Sequence, residues 1–96
     1  MYGLKDRLVG ELTALAAYHD LDRLILFGSR ARGDHRERSD IDLAVLGGDT
    51  ARFALDADEE TSTLLRFDIV DLGGAVQPEL LESIRRDGKV LYAKVR

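Results

Sequence analysis

The sequence predicts an α/β (α+β) fold, a mixed β-sheet of about four strands with helices packed on it. Three observations carry this expectation. Leu4, Leu8, Leu12 and Leu15 recur at helical spacing near the start of the chain. Two short apolar runs, residues 24–27 and 43–46, have the length of buried strands and are bounded by charged residues or glycine. Helix-like and strand-like segments then alternate to the end, in the order α-β-α-β-α-β-α-β, a pattern in which helices cover a sheet. A length of 96 residues suits a single domain spanning 1–96.

Taken in order, residues 3–18 read as an amphipathic helix. Asp20 and Asp22 mark the break before a strand over 23–27. Residues 28–39 are polar and arginine-rich, and read as a turn, a short helix and a loop closed at Gly33. A second strand covers 40–46; apart from its two aspartates it is apolar, so burial on both faces is expected. Residues 50–63 are acidic and helix-permissive, and a third strand over 64–72 contains Asp68 and Asp71. Pro78 suits the first turn of a helix whose apolar face is Leu80, Leu81 and Ile84. Asp87-Gly88 is a turn signal, and Val90, Leu91 and Tyr92 form a last short strand.

Composition narrows the function. The chain is 45% hydrophobic and 33% charged, which fits a globular protein with a modest core. It has no cysteine, so disulfides and thiolate metal sites are excluded. A net charge of −4, no tryptophan and few aromatics argue against direct binding of nucleic acid. No apolar run approaches the length of a membrane span, and the first residues lack the apolar core of a signal peptide. A cytoplasmic location is expected. Exposed apolar helix faces on so small a core leave a homo- or hetero-oligomer open.

The most specific chemistry lies between residues 28 and 42. Gly28 and Ser29 follow an apolar strand. Glycine lets backbone approach a ligand closely, and the N–H groups of such a turn can hold phosphate oxygens. After ten intervening residues, 30–39, come Asp40, Ile41 and Asp42. Strand alternation sends both carboxylates to one face, their Cα atoms about 6.7 Å apart. Two such oxygen donors suit magnesium, which binds through one or two carboxylates plus substrate phosphates. A third carboxylate would complete a two-metal site. Asp68, between Phe67 and Ile69, is preferred for it, as metal ligand or general base; Asp71 faces the other way on a regular strand but lies near the strand end, where a bulge can turn it. Arg23, Arg30, Arg32, Arg36 and Arg38 cluster around the turn, and an Arg fork grips phosphate well; Arg30 and Arg32 are the candidates. His19 and His35 share no ligand spacing and read as solvated surface residues. The pattern is not a P-loop, a nucleophile elbow or an EF-hand, because the residues each needs are absent at the required offsets.

The segment LILFGSRARGDHRERSDIDLAVL resembles the signature of minimal nucleotidyltransferases, including MntA-like antitoxins, within the DNA polymerase β-like nucleotidyltransferase superfamily. The later segment FDIVDLGGAVQPELLESIRRDGKVLY is similar to that family's third strand, helix and final strand, so the likeness spans residues 22–92. The resemblance implies the nucleotidyltransferase fold, Asp40, Asp42 and Asp68 as magnesium ligands, and Gly28 and Ser29 as the triphosphate turn. It implies ATP as substrate and transfer of AMP to a hydroxyl, a tyrosine on a small all-helical HEPN-type partner, with this chain as the antitoxin; in another reading of the same pair the helical protein is a substrate-binding subunit. Larger members append a substrate domain for which this chain has no room, so the acceptor is expected on another chain or as a small molecule. Two alternatives stand beside this: a non-catalytic antitoxin that neutralises its helical partner by complex formation, and nucleotidyl transfer to a small molecule.

Overall fold

The computed structural model describes residues 1–95. Four helices alternate with four strands: α1 (Asp6–Tyr18), β1 (Arg23–Phe27), α2 (Gly28–Arg32), β2 (Ile41–Leu46), α3 (Thr50–Glu60), β3 (Phe67–Asp71), α4 (Pro78–Asp87) and β4 (Lys89–Ala93). The strands make one mixed sheet in the order β3-β2-β1-β4. β1 runs antiparallel to both β2 and β4, while β2 and β3 are parallel. A parallel pair cannot be joined by a tight turn, and α3 supplies the crossover. Asp49 caps that helix, its carboxylate accepting from the Arg52 N–H at 3.1 Å.

Alternation divides the core between the two faces of the sheet. Leu24 and Leu26 of β1 and Ile41, Leu43 and Val45 of β2 point to one side. There they meet Leu8, Leu12 and Ala16 of α1 and Phe53 and Ala57 of α3. Phe53 and Leu12 are fully buried; each contributes about 1.5–3 kcal/mol by leaving water. The opposite face carries a smaller cluster of Phe27, Ala44 and Ile84, joined by the half-buried Ile25, Val70, Leu72 and Leu80. Only Ile84 of α4 is buried. The second face is therefore thinly covered, and it is the face to which Asp42 and Asp68 belong.

The histidines differ from expectation. The His19 side chain is largely buried at the end of α1, and its Nε2 lies 2.7 Å from Asp56 Oδ2 on α3. That contact ties α1 to α3, because the chain turns back at His19 and brings the ring under α3. His35 is half-buried, its ring seated against Gly3 so closely that any side chain at position 3 would collide with it. Neither is a solvated surface residue. Element ends also differ: α1 starts at Asp6 rather than residue 3, and β3 is confined to Phe67–Asp71 within the expected 64–72. Among the described residues no helix is long and apolar enough to cross a membrane.

Candidate active site

β1 ends at Phe27, which pairs with Asp42 across the antiparallel ladder. The chain then turns at Gly28, with φ of +74°, directly into the single turn of α2. This positive φ is one reason for glycine. The other is Asp42: a Cβ at position 28 would collide with its Oδ2 and lie 2.9 Å from its Cγ. Backbone of the turn and carboxylate of the strand are thus in direct apposition. The first N–H groups of α2 have no carbonyl within the helix to donate to, and Ser29 adds a hydroxyl beside them. α2 closes at Gly33, whose left-handed φ of +86° lets its N–H reach back to the Ser29 carbonyl at 2.9 Å. Replacing Gly28 by alanine is expected to cost about 1–3 kcal/mol in backbone strain and to push the Asp42 carboxylate out of place. Thermal unfolding and a transfer assay check this; a Gly28→Ala protein that matches wild type in both would refute the apposition.

Asp42 and Asp68 are register partners in the parallel β2–β3 ladder. Their Cα atoms are therefore about 4.8 Å apart across the ladder, and their side chains share a face. Asp40 stands two residues before Asp42, just outside β2, and is exposed. Burial pushes the Asp42 carboxyl above the usual carboxylate range, the negative charges of Asp68 and Asp40 push it further, and the nearby Arg32 guanidinium partly offsets them. The arrangement is an acidic cluster short of positive charge. Asp71 is elsewhere. It pairs in register with Val45, and its carboxylate accepts from Thr50 Oγ1 at 2.9 Å and from the Gly73 N–H at 2.8 Å. Asp71 thus joins the end of β3 to the start of α3.

The two arginines proposed for phosphate have different fates. Arg30 is only 3% exposed. Its Nε and Nη2 donate to the Ser39 carbonyl, Nη2 also to the Glu37 carbonyl, and Nη1 to the Gly3 carbonyl, at 3.0–3.3 Å. The expectation of a phosphate contact from Arg30 is therefore corrected: its fork is spent inside the fold, clamping the N-terminal segment and the 34–39 loop together. Arg32 remains partly exposed. Its Nε lies 3.2 Å from Asp34 Oδ2, and its Nη1 lies 3.9 Å from Asp87 Oδ2. Asp87, at the end of α4, also pairs with Arg86 Nη2 at 3.2 Å. The sequence marked Asp87-Gly88 only as a turn; its place beside Arg32 depends on how α4 crosses α2, and no local pattern signals it.

Among the described residues no group of three acidic or histidine side chains stands ready to cage a cation unaided. The donor set still fits a hard ion that shares its shell with a ligand. Asp42 and Asp68 offer oxygens side by side, and magnesium commonly takes one or two carboxylates with the rest of its shell from phosphates and water.

The chain and its fold match known proteins. Residues 12–96 match the family described as Polymerase beta, Nucleotidyltransferase. A homologue in Methanocaldococcus jannaschii named protein adenylyltransferase MJ0604 is 33% identical over 82 residues, covering 75% of this chain and 79% of its own. The crystal structure of a toxin–antitoxin with AMP-PNP superposes with a TM-score of 0.72 at 28% identity, over 90% of this chain and 73% of the other. A solved minimal nucleotidyltransferase superposes with a TM-score of 0.65 at 33% identity, over 84% of this chain and 86% of the other. A family match that begins inside α1 and runs through β4, with a one-third-identical relative aligned over most of both chains, places this chain in the polymerase β nucleotidyltransferase family.

Proposed function

We propose that this nucleotidyltransferase moves AMP from ATP, with magnesium, to a tyrosine hydroxyl of a HEPN-type partner toxin and so acts as its antitoxin. The single observation that carries the reading is the pairing of Asp42 with Asp68 beside the Gly28 turn, a cluster with excess negative charge in direct apposition to the turn's backbone. The homologue's name speaks for adenylyl transfer, and the solved relative pairs a toxin with an antitoxin and holds an ATP analogue. Tyrosine and HEPN follow from the resemblance of the motifs.

In this reading the Gly28-Ser29 backbone and the Ser29 hydroxyl hold phosphate oxygens, and Arg32 offsets their charge. Asp68 faces the acceptor and takes the proton of the attacking hydroxyl. The hydroxyl oxygen bonds to the α-phosphorus, the bond to the bridging oxygen breaks, and pyrophosphate leaves. Magnesium on Asp40, Asp42 and Asp68 would neutralise the phosphate charge. The rest is positioning by rigid elements: β2 and β3 hold the carboxylates, and β1 holds the turn.

The test incubates the purified chain with magnesium, ATP and the partner, then measures the partner's intact mass. Added AMP on a tyrosine, lost when Asp40 is replaced by alanine, is the expected outcome. An unmodified yet inhibited partner would sink the catalytic reading.

A further inference from the structure

A broad groove of about 1200 Å³ opens beside the candidate site, and Asp40 stands in its wall. The groove runs between the start of α1, the 34–39 loop and the approach to β3. Its charge is opposite to that of the whole chain. Lys5, Arg7, Arg38 and Arg66 line it, against Glu37 and Asp40, although the chain carries a net −4. Lys5, Arg38 and Arg66 are exposed and have no ion-pair partner among the described residues, and Arg7 has only the 3.9 Å contact with Glu11. Leu64, wholly exposed, stands at the same groove. Unpaired cations beside a bare leucine are what a charged, partly apolar ligand would complement.

We infer that this groove docks an acidic segment of the acceptor protein and delivers the hydroxyl past Asp40 toward the Asp42–Asp68 pair. The inference rests on the adenylyl-transfer reading for its direction, but the binding itself stands on the groove. Carboxylates of the segment meet Arg38 and Arg66, whose planar forks suit them, and an apolar side chain of the segment covers Leu64. A protein segment fits better than a nucleic acid. The lining offers no tyrosine, phenylalanine or tryptophan for a base to stack on, and two carboxylates would face the phosphate backbone. Position adds to this. Asp40 belongs both to the groove wall and to the charge cluster around Asp42, so a chain lying in the groove passes Asp40, at the edge of that cluster.

The test uses the full chain and a short fluorescein-labelled peptide of glutamate, leucine and tyrosine, read by fluorescence anisotropy. Wild type should bind it with an affinity that falls steeply with salt. The double variant Arg38→Glu with Arg66→Glu should bind about tenfold more weakly, since each reversal removes an attraction and adds a repulsion. Both residues are exposed, so thermal unfolding should stay near wild type. Magnesium-ATP binding, measured by calorimetry on the same samples, separates the two readings. A double variant that keeps ATP binding but loses the peptide supports the groove. Equal peptide affinity in both proteins overturns it, and so does tighter binding of a single-stranded RNA of matched length. Failure of ATP binding in wild type would strike the transfer reading alone, and peptide binding would still decide the groove.

Discussion

The Asp42→Asn protein should lose AMP transfer by about a thousandfold and yet unfold at a higher temperature than wild type when nucleotide and metal are absent. Both effects come from one arrangement. Asp42 is half-buried on the thinly covered face of the sheet, with Asp68 as its register partner and Asp40 two residues away. Burial and these two negative charges hold its carboxyl above the usual range. The unfolded chain therefore ionises first as pH rises. Stability contributed at this position is greatest in acid, and it falls as pH climbs from the ordinary carboxylate range to the raised folded value. Above the raised folded value the folded state carries the full penalty of a crowded carboxylate. Asparagine keeps the shape and removes the charge, so the penalty goes and the midpoint rises by about 4–8 °C for each kcal/mol recovered. The loss of activity has the same origin. Losing one preorganised charge-stabilising group of this kind costs about 10²–10³ in rate, and a carboxylate that also binds the cation belongs at the upper end. Magnesium-ATP should reverse the order of stability. Wild type gains about 2.7 kcal/mol at a hundredfold excess over Kd, whereas the asparagine protein gains little. Thermal unfolding from acid to neutral pH, with and without ligand, reads all of this. An asparagine variant that melts no higher than wild type and still transfers AMP would remove Asp42 from the mechanism.

Much of this arrangement was legible in the residues because it is local. β1 matches its expected span, since Leu24 to Phe27 form an apolar run between charge and glycine. The Gly28 turn and the closure at Gly33 are written in glycines that take positive φ. The unread parts are those that depend on chain segments meeting at a distance. Strand phase favours Asp68 over Asp71, with a bulge at the strand end left open. The phase is decided by the parallel register with β2, which starts at Ile41 and Phe67. Leu64 and Leu65 extend the apolar pattern, yet the ladder begins after them and leaves Leu64 exposed at the basic groove. The arginine cluster is the clearest case. Composition shows five cations near the turn, but the path of the 34–39 loop decides which guanidinium is swallowed and which faces the carboxylates.

That division between Arg30 and Arg32 gives the largest expected effect on stability. Arg30→Ala removes a buried guanidinium whose donors satisfy the carbonyls of Gly3, Glu37 and Ser39. A hydrogen bond with a charged partner contributes about 1.5–3 kcal/mol, and alanine also leaves a void under the loop. Part of the loss is recovered when water reaches the freed carbonyls, so a net cost of about 3 kcal/mol is expected. Against a total stability of about 5–15 kcal/mol this is a large fraction, and the midpoint should fall by well over about 10 °C. Lysine should not restore it, because one ammonium cannot reproduce the planar fork that spans three carbonyls. Arg32→Ala should behave in the opposite way. Its ion pairs with Asp34 and Asp87 are at 3.2 and 3.9 Å, and its side chain is 41% exposed. The stability cost is therefore at most about 1 kcal/mol, while nucleotide affinity and transfer fall. Amide hydrogen exchange locates the first effect: residues 34–39 should lose protection in the Arg30 variant and keep it in the Arg32 variant. If Arg30→Ala melts as wild type does and instead loses nucleotide, the clamp is not what holds this loop, and the guanidinium belongs with the phosphates after all.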